Sequence, residues 1–419
     1  MNRRQFLLST AAMGLSTSTY AGIRFWPESG FNNPCLSGLP DDLKNHPLMT
    51  QIWAGIDTNQ MWDCHAHIIG AGDSGGGAWF NPNMENWMHP ILKVQKNFYM
   101  NGGCISKDDE DASFVARMVQ LASEMPTGYK TMLFAFDWLS DGQGVADKNN
   151  AIFHIPNEYA AKIASQYPQY FEWVASIHPY RADALDELDI ACANGARAIK
   201  WLPTGMNIDP ASQRCAKFYQ KLHDLNMPII SHAGRESAVQ VGDQAHGNPL
   251  KMRNALDAGV RVVLAHCASH GDDKDIDNGN KAVKSFELFS RLMDTPAYKS
   301  LIFGDTSAIT LMPHAWVIKP LLERPDWHAR LLNGTDYPLP AILPLISTKE
   351  LARMGLLQDE HLLFLQTLRN YNPLMFDFAI KRLMQWQNVG FATQIFETRR
   401  VFDANIVHTN NAAVNSGKS

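Results

Sequence analysis

The hydrophobic positions fall into eight short, nearly continuous apolar runs separated by stretches with helical periodicity. The runs are 60–67, 130–137, 172–178, 196–201, 227–232, 260–266, 300–305 and 329–336. Near-continuous apolar strands between helices mark a parallel sheet covered on both faces. The intervening patterns predict helices over 106–125, 156–167, 183–194, 211–225, 249–258, 282–293 and 311–324, and helical structure again out to 385. The first of these carries Phe114, Met118 and Leu121 on one face. Ser106 with Asp109 reads as a capping box with Asp in place of Glu, and Pro126 and Gly128 end the helix. Eight such strands predict a closed (β/α)8 TIM barrel. An open, doubly wound sheet is the alternative, but it would show a phosphate-binding turn at its switch point. Neither G-x-G-x-x-G nor a Walker lysine motif occurs.

Two stretches interrupt the alternation. Residues 68–105 are rich in Gly, Asn, Trp and Met. They predict a long first βα loop of the kind that covers an active site. Residues 25–57 are rich in Pro, Gly and Asn and read as an irregular N-terminal arm. The barrel is then expected over 58–385, with a fraying tail over 386–419. At the start, Asn-Arg-Arg-Gln-Phe-Leu-Leu precedes a mildly apolar, small-residue stretch. That pattern predicts an export signal over 1–24, of twin-arginine type. The expectation is a periplasmic or otherwise exported bacterial protein that uses the twin-arginine export machinery. The stretch is too short and polar for a stable membrane span.

The chain has 419 residues, 45% of them hydrophobic, enough for a large core. Charged residues make up 19%, the net charge is −5 and no long basic run occurs, which argues against a nucleic-acid partner. None of the six cysteines forms a CxxC pair. Cys64, Cys192 and Cys267 sit in apolar stretches and read as small core residues. No disulfide framework is implied, and a bridge through Cys35 or Cys104 stays open. The exterior helices leave homo-oligomerisation open.

The candidate chemistry lies at the carboxyl ends of the strands, which converge on one face of a barrel. The first run ends in Asp63-Cys-His-Ala-His67, and side chains two apart on a strand point the same way. The fourth run ends in Lys200, the fifth in His232, the sixth in His266 and the eighth in Asp336. Imidazole and carboxylate are the usual donors of catalytic zinc. His65, His67, His232 and Asp336 are therefore candidate ligands for Zn2+, with Mn2+ or Fe2+ as alternatives. Taken singly, each has a plainer reading: a satisfied strand-end histidine, a turn brace before Pro338, a lysine paired with a buried acid. The ordered set outweighs those readings. Arg235, His270 and His178 are candidates for substrate binding, and Trp79, Trp87 and Trp138 for an aromatic entrance.

With Asp63-Cys-His-Ala-His67, Ala198-Ile-Lys200, Ile230-Ser-His232, Leu264-Ala-His266 and Asn333-Gly-Thr-Asp336, the chain resembles the amidohydrolase superfamily of metal-dependent barrels. The resemblance runs from about 58 to 380. It is to the amidohydrolase-2 branch, which includes amino-carboxymuconate-semialdehyde decarboxylase and related lactone hydrolases. It implies that His65, His67, His232 and Asp336 bind metal and that Asp336 and His266 are catalytic, moving protons. It implies one metal, with Lys200 and His266 placed to hold a second in a two-metal form. The implied activity is hydrolysis of a C–O or C–N bond in a small organic substrate by activated water. Non-oxidative decarboxylation is the alternative, and a non-catalytic exported binding protein on a degenerate barrel is a third reading.

Overall fold

The computed structural model describes residues 30–239 and 241–403. The export signal expected over 1–24, the start of the arm and residues 404–419 lie outside the described residues. All eight apolar runs contain a parallel strand. They are β1 (Trp62–His67), β2 (Lys130–Phe134), β3 (Phe171–Val174), β4 (Ile199–Trp201), β5 (Ile229–Ser231), β6 (Val262–Leu264), β7 (Ile302–Asp305) and β8 (Leu331–Leu332). Hydrogen bonding orders them β1–β2–β3 in one sheet and β4–β5–β6–β7–β8 in another. Two parallel bridges join the sheets into a ring: Ala175 with Ile199 after β3, and Ala66 with Tyr337 after β8. The (β/α)8 barrel predicted from the pattern is thus the architecture.

The ring is filled from inside. Trp62, Cys64, Met132, Phe134, Val174, Ala198, Ile230, Val263, Phe303 and Leu332 form one buried cluster with Val401 and Phe402. Every strand, or the residue just before it, supplies an inward side chain, as a filled barrel requires. Val401 and Phe402 correct one expectation. The chain was expected to fray after 385, yet residues 386–403 are ordered against the barrel. A short helix, Arg399–Phe402, brings Val401 and Phe402 into the interior cluster. Thr398 Oγ1 donates to the Trp62 carbonyl, which fixes the segment at the amino end of β1. Burial of two large apolar side chains outweighs the entropy that leaves an unanchored terminus frayed.

The first βα loop is also more structured than its composition predicts. It contains a 13-residue helix, α1 (Pro90–Gly102). The following helix, α2, runs over Glu110–Ser123, and the Ser106–Asp109 capping box does not form. The cap comes from elsewhere: Asp73 accepts from the N–H groups of Glu110 (2.6 Å) and Asp111 (3.1 Å). In return, Asp111 accepts from Ala71, Gly72 and Ser74, folding the glycine-rich turn around one buried carboxylate. A long-range donor–acceptor pair has replaced the local one. A disulfide joins Cys35 in the arm to Cys104 just beyond α1.

The loop after β6 forms an antiparallel hairpin, Asp272–Asp275 with Lys281–Lys284. Among the described residues no helix is long and apolar enough to cross a membrane.

Candidate active site

The register of β1 slips between Asp63 and Ala66. Trp62 and Cys64 point into the barrel, and the slip passes the inward direction to His65 and His67. The His65 ring lies 4.7 Å from that of Phe134, and the His67 ring 5.6 Å from it. Asp63 ties this end of β1 to the segment after β8. It accepts from Thr335 N–H (2.8 Å), Thr335 Oγ1 (2.5 Å) and His65 N–H (3.1 Å). Burial pushes its carboxyl up to about 7 despite those bonds.

His65 Nδ1 sits 2.9 Å from Asp305 Oδ2 at the end of β7. A carboxylate only accepts, so Nδ1 bears the proton and Nε2 is left with a bare lone pair. Burial opposes the charged form of Asp305, but the His65 contact outweighs it and holds the carboxyl well below its usual range. Burial, then the charge of Lys200, pushes His65 down to about 3, so the ring is neutral. His65 Nε2 faces Asp336 Oδ1 at 3.4 Å and Lys200 Nζ at 3.2 Å. His67 Nε2 lies 2.9 Å from the same Asp336 oxygen.

His266 is fixed in the same way. Its Nδ1 is 3.1 Å from the Ser307 carbonyl, an obligate acceptor, so Nδ1 bears a proton and Nε2 is turned toward the site. That Nε2 lies 3.8 Å from Asp336 Oδ2. Ser307 Oγ contacts His266 Nδ1 (2.8 Å) and His65 Nδ1 (3.1 Å) and donates to Asp305 Oδ1. Both His266 (φ 56°) and Asp336 (φ 58°) adopt left-handed backbone. Neither residue favours that region, and surrounding bonds hold them there: His266 N–H to Asp305 (2.9 Å) and Asp336 N–H to the His65 carbonyl (2.7 Å). Burial tends to raise the Asp336 carboxyl, but the imidazoles of His65, His266 and His67 hold it well below its usual range.

Two groups of donor atoms result. Those of His65, His67 and Asp336 lie within 4.8 Å of one another, as do those of His65, His266 and Asp305. His232 belongs to neither group. Its ring is 5.3 Å from that of His266, its Nε2 is 3.2 Å from Glu236 Oε2, and its buried Nδ1 has no hydrogen-bond partner among the described residues. Lys200 is buried over the Phe134 ring at 4.8 Å. Burial pushes its amine down to about 8, against the pull of Asp305 and Asp336.

The substrate-side candidates divide. His270 accompanies the site: its ring is 5.1 Å from His314, which is in turn 5.9 Å from His266. Arg235 is exposed, and its N–H bonds the His270 carbonyl at 2.9 Å. His178 is corrected. Its Nε2 meets the Met206 carbonyl (2.9 Å) and its Nδ1 accepts from Tyr180 N–H (3.2 Å). Both ring nitrogens are spent on backbone, so it has none to offer a substrate. It lines a different cavity of about 390 Å³ with Asp137, His154 and Arg181. Trp79 and Trp138 pack on each other at 5.1 Å, and Trp87 is 80% exposed.

Residues 62–341 match the sequence profile of the family described as Amidohydrolase, well over half the chain. The chain belongs to the amidohydrolase family. No curated protein matches it. Several solved structures resemble it. An uncharacterised TIM-barrel protein from Bordetella bronchiseptica shares 16% identity, with a TM-score of 0.46, 76% of this chain covered and 99% of that one. A probable 2-pyrone-4,6-dicarboxylic acid hydrolase from Acinetobacter baumannii shares 15%, TM-score 0.42, covering 80% and 99%. A 5-carboxyvanillate decarboxylase from Sphingomonas paucimobilis shares 9%, TM-score 0.42, covering 76% and 96%.

Sequence reasoning missed several residues of this amidohydrolase site. Asp305 is the main one, and the rule that found His232 and His266 would have found it, since it closes the apolar run of β7. Glu236, four residues after His232 and buried, and His314, half-buried in the loop after β7, carry no comparable pattern.

Proposed function

We propose that the chain is a metal-dependent hydrolase that cleaves a C–O or C–N bond, as in a lactone, ester or amide. The observation that carries this is the convergence of metal-ligating atoms from β1 and the segment after β8 in one buried site. His65 Nε2 and Asp336 Oδ1, both acceptors, face each other at 3.4 Å, and His67 Nε2 approaches the same oxygen at 2.9 Å. Two imidazoles and a carboxylate this close together are the donor set of a divalent cation, whose charge would replace that of Lys200 and of the His67 proton at these atoms. The donor set fits a divalent ion, with Zn2+ foremost and Mn2+ or Fe2+ as alternatives. His65, His67 and Asp336 would hold it. His232, with its unpartnered buried Nδ1, is the fourth donor we assign.

When bound, such an ion supplies Lewis acidity and a water acidic enough to ionise near neutral pH. The chain's own residues do the rest. Asp305 and Ser307 fix the proton of His65 on Nδ1, so Nε2 stays a ligand. Ser307 does the same for His266, whose Nε2 can take a proton. Asp336 Oδ2, 3.8 Å away, is the second station for that proton on its way to the leaving group. Lys200 provides fixed positive charge beside His65 in a one-metal site. His67 is 27% exposed where His65 is 1%, so the substrate approaches from the His67 side. His270 and Arg235 line the far side of the His266 wall.

The test is metal analysis of purified protein together with a screen of lactones, esters and amides, before and after chelation. Metal-dependent ring opening or amide cleavage supports the reading. Carbon dioxide release from a carboxylic acid replaces it with decarboxylation, and protein without tightly bound metal or activity sinks both. We also infer export. The signal pattern supports it, and the Cys35–Cys104 bridge suits an oxidising compartment. Cell fractionation tests this, and cytoplasmic retention contradicts it.

A further inference from the structure

Helix α1 rises from the long first loop, and four attachments hold it. Gln95 Nε2 donates to the Ala238 carbonyl at 2.8 Å, in the loop after β5. Gly102 lies so close to the loop after β8 that a Cβ there would come 2.8 Å from Ile342 Cγ1. Lys96 pairs with Glu85 (2.5 Å) and with Glu110 at the start of α2 (3.5 Å). At its C-terminal end, the bond from Asn33 N–H to Asn101 Oδ1 (2.8 Å) and, just past it, the Cys35–Cys104 disulfide fix it to the arm.

Gln95, Tyr99 and Gly102 are spaced four and three apart, so they share one face. Gln95 touches the loop that follows His232, and Gly102 touches the loop that follows Asp336. Tyr99 therefore spans the gap between the two. Its charge environment agrees: burial and the nearby carboxylates of Glu236 and Asp336 raise the phenol well above its ordinary value, so it stays protonated. Its oxygen already accepts from Gln95 Nε2 at 3.2 Å. Among the described residues no acceptor takes its hydrogen.

We propose that Tyr99 touches the substrate, donating a hydrogen bond from its hydroxyl to a carbonyl or carboxylate oxygen bound between His232 and Asp336. The phenol is a donor aimed by Gln95, on a helix pinned at its middle and its C-terminal end, so little ordering is left for the moment of binding. This rests on the reading of the site as a metal centre, because the cation places the substrate oxygen beneath α1.

The test uses acetohydroxamate, a small oxygen chelator, with zinc-loaded full-length protein and calorimetry. Tyr99→Phe removes one oxygen and is expected to weaken binding about tenfold or more, as for a lost hydrogen bond to a charged acceptor. Zinc content and melting temperature should stay at wild-type values, which a merely structural role would not combine with lost affinity. Should Tyr99→Phe fail to fold, Gln95→Leu frees the phenol without removing it and is expected to cost roughly two- to fivefold. Equal affinities in zinc-replete proteins, or no binding to either, overturn the assignment of Tyr99 alone. A wild-type protein that takes up no zinc overturns the parent reading instead, and Tyr99 falls with it.

Discussion

Replacing Asp305 with Asn separates orientation of a ligand from ligation itself. The carboxylate has four partners: His65 Nδ1 (2.9 Å), His266 N–H (2.9 Å), Ser307 N–H (3.0 Å) and Ser307 Oγ. The backbone and hydroxyl donors all go to Oδ1, which an asparagine oxygen reproduces. The second oxygen becomes an NH2 facing the Nδ1–H of His65, donor against donor. The ring must then move its proton to Nε2 or rotate, and either change withdraws the lone pair now facing Asp336. Losing an orienting partner of this kind weakens metal binding about 10- to 100-fold, or about 1.4–2.7 kcal/mol. The assay is competition for zinc against a chelator of known affinity, with circular dichroism to confirm the fold. Zinc affinity within twofold of wild type, in a preparation where Asp336→Asn does weaken it, would refute the reasoning.

Further consequences follow from the same contacts. Lys381 is buried against Asp377 (2.5 Å) and donates to the Gly334 carbonyl (2.7 Å), just before Asp336. Lys381→Met leaves that carboxyl unpaired and should cost about 3–5 kcal/mol in urea melts at pH 7. Burial pushes Asp377 up to about 6 even against Lys381. The folded protein thus keeps a proton that the unfolded chain sheds near pH 4, so this group's share of stability falls as pH rises from about 4 to 6. In Lys381→Met the fall should continue above pH 6, and parallel pH–stability curves would contradict this. Phe402→Ala opens a hole in the barrel floor and should cost about 3–5 kcal/mol by thermal or urea unfolding. A change under 1 kcal/mol would mean the C-terminal segment does not plug the barrel. Cys104→Ser removes a bridge across a sequence separation of 69. It should cost about 2–5 kcal/mol, and reduction of wild type, followed by urea melts, should match it.

The apolar runs made the barrel legible because each strand is buried on both faces and needs no partner to declare itself. The placing of polar residues at the rim was legible to the same degree, since those closing such runs have only the rim to occupy. Where function depends on contacts across the chain, sequence was silent. The cap of α2 comes from Asp73, 37 residues before Glu110, and no local spacing announces it. The proton on His65 is set by Asp305, 240 residues away. Helix α1 was obscured by the Gly, Asn and Trp content of its loop, although Pro90 at its first turn is a helix-start signal. The C-terminal plug is too short to show a period. His178 misled because a strand-end histidine looks the same whether it faces a substrate or a carbonyl.

The account turns on one cation shared by residues from opposite sides of the ring. Anomalous diffraction at the zinc edge, from crystals of zinc-loaded protein, tests it most directly. The prediction is a strong peak enclosed by His65, His67, His232 and Asp336, with Asp305 behind His65 and making no contact with the ion. A peak elsewhere, or none at full zinc occupancy in solution, would contradict it.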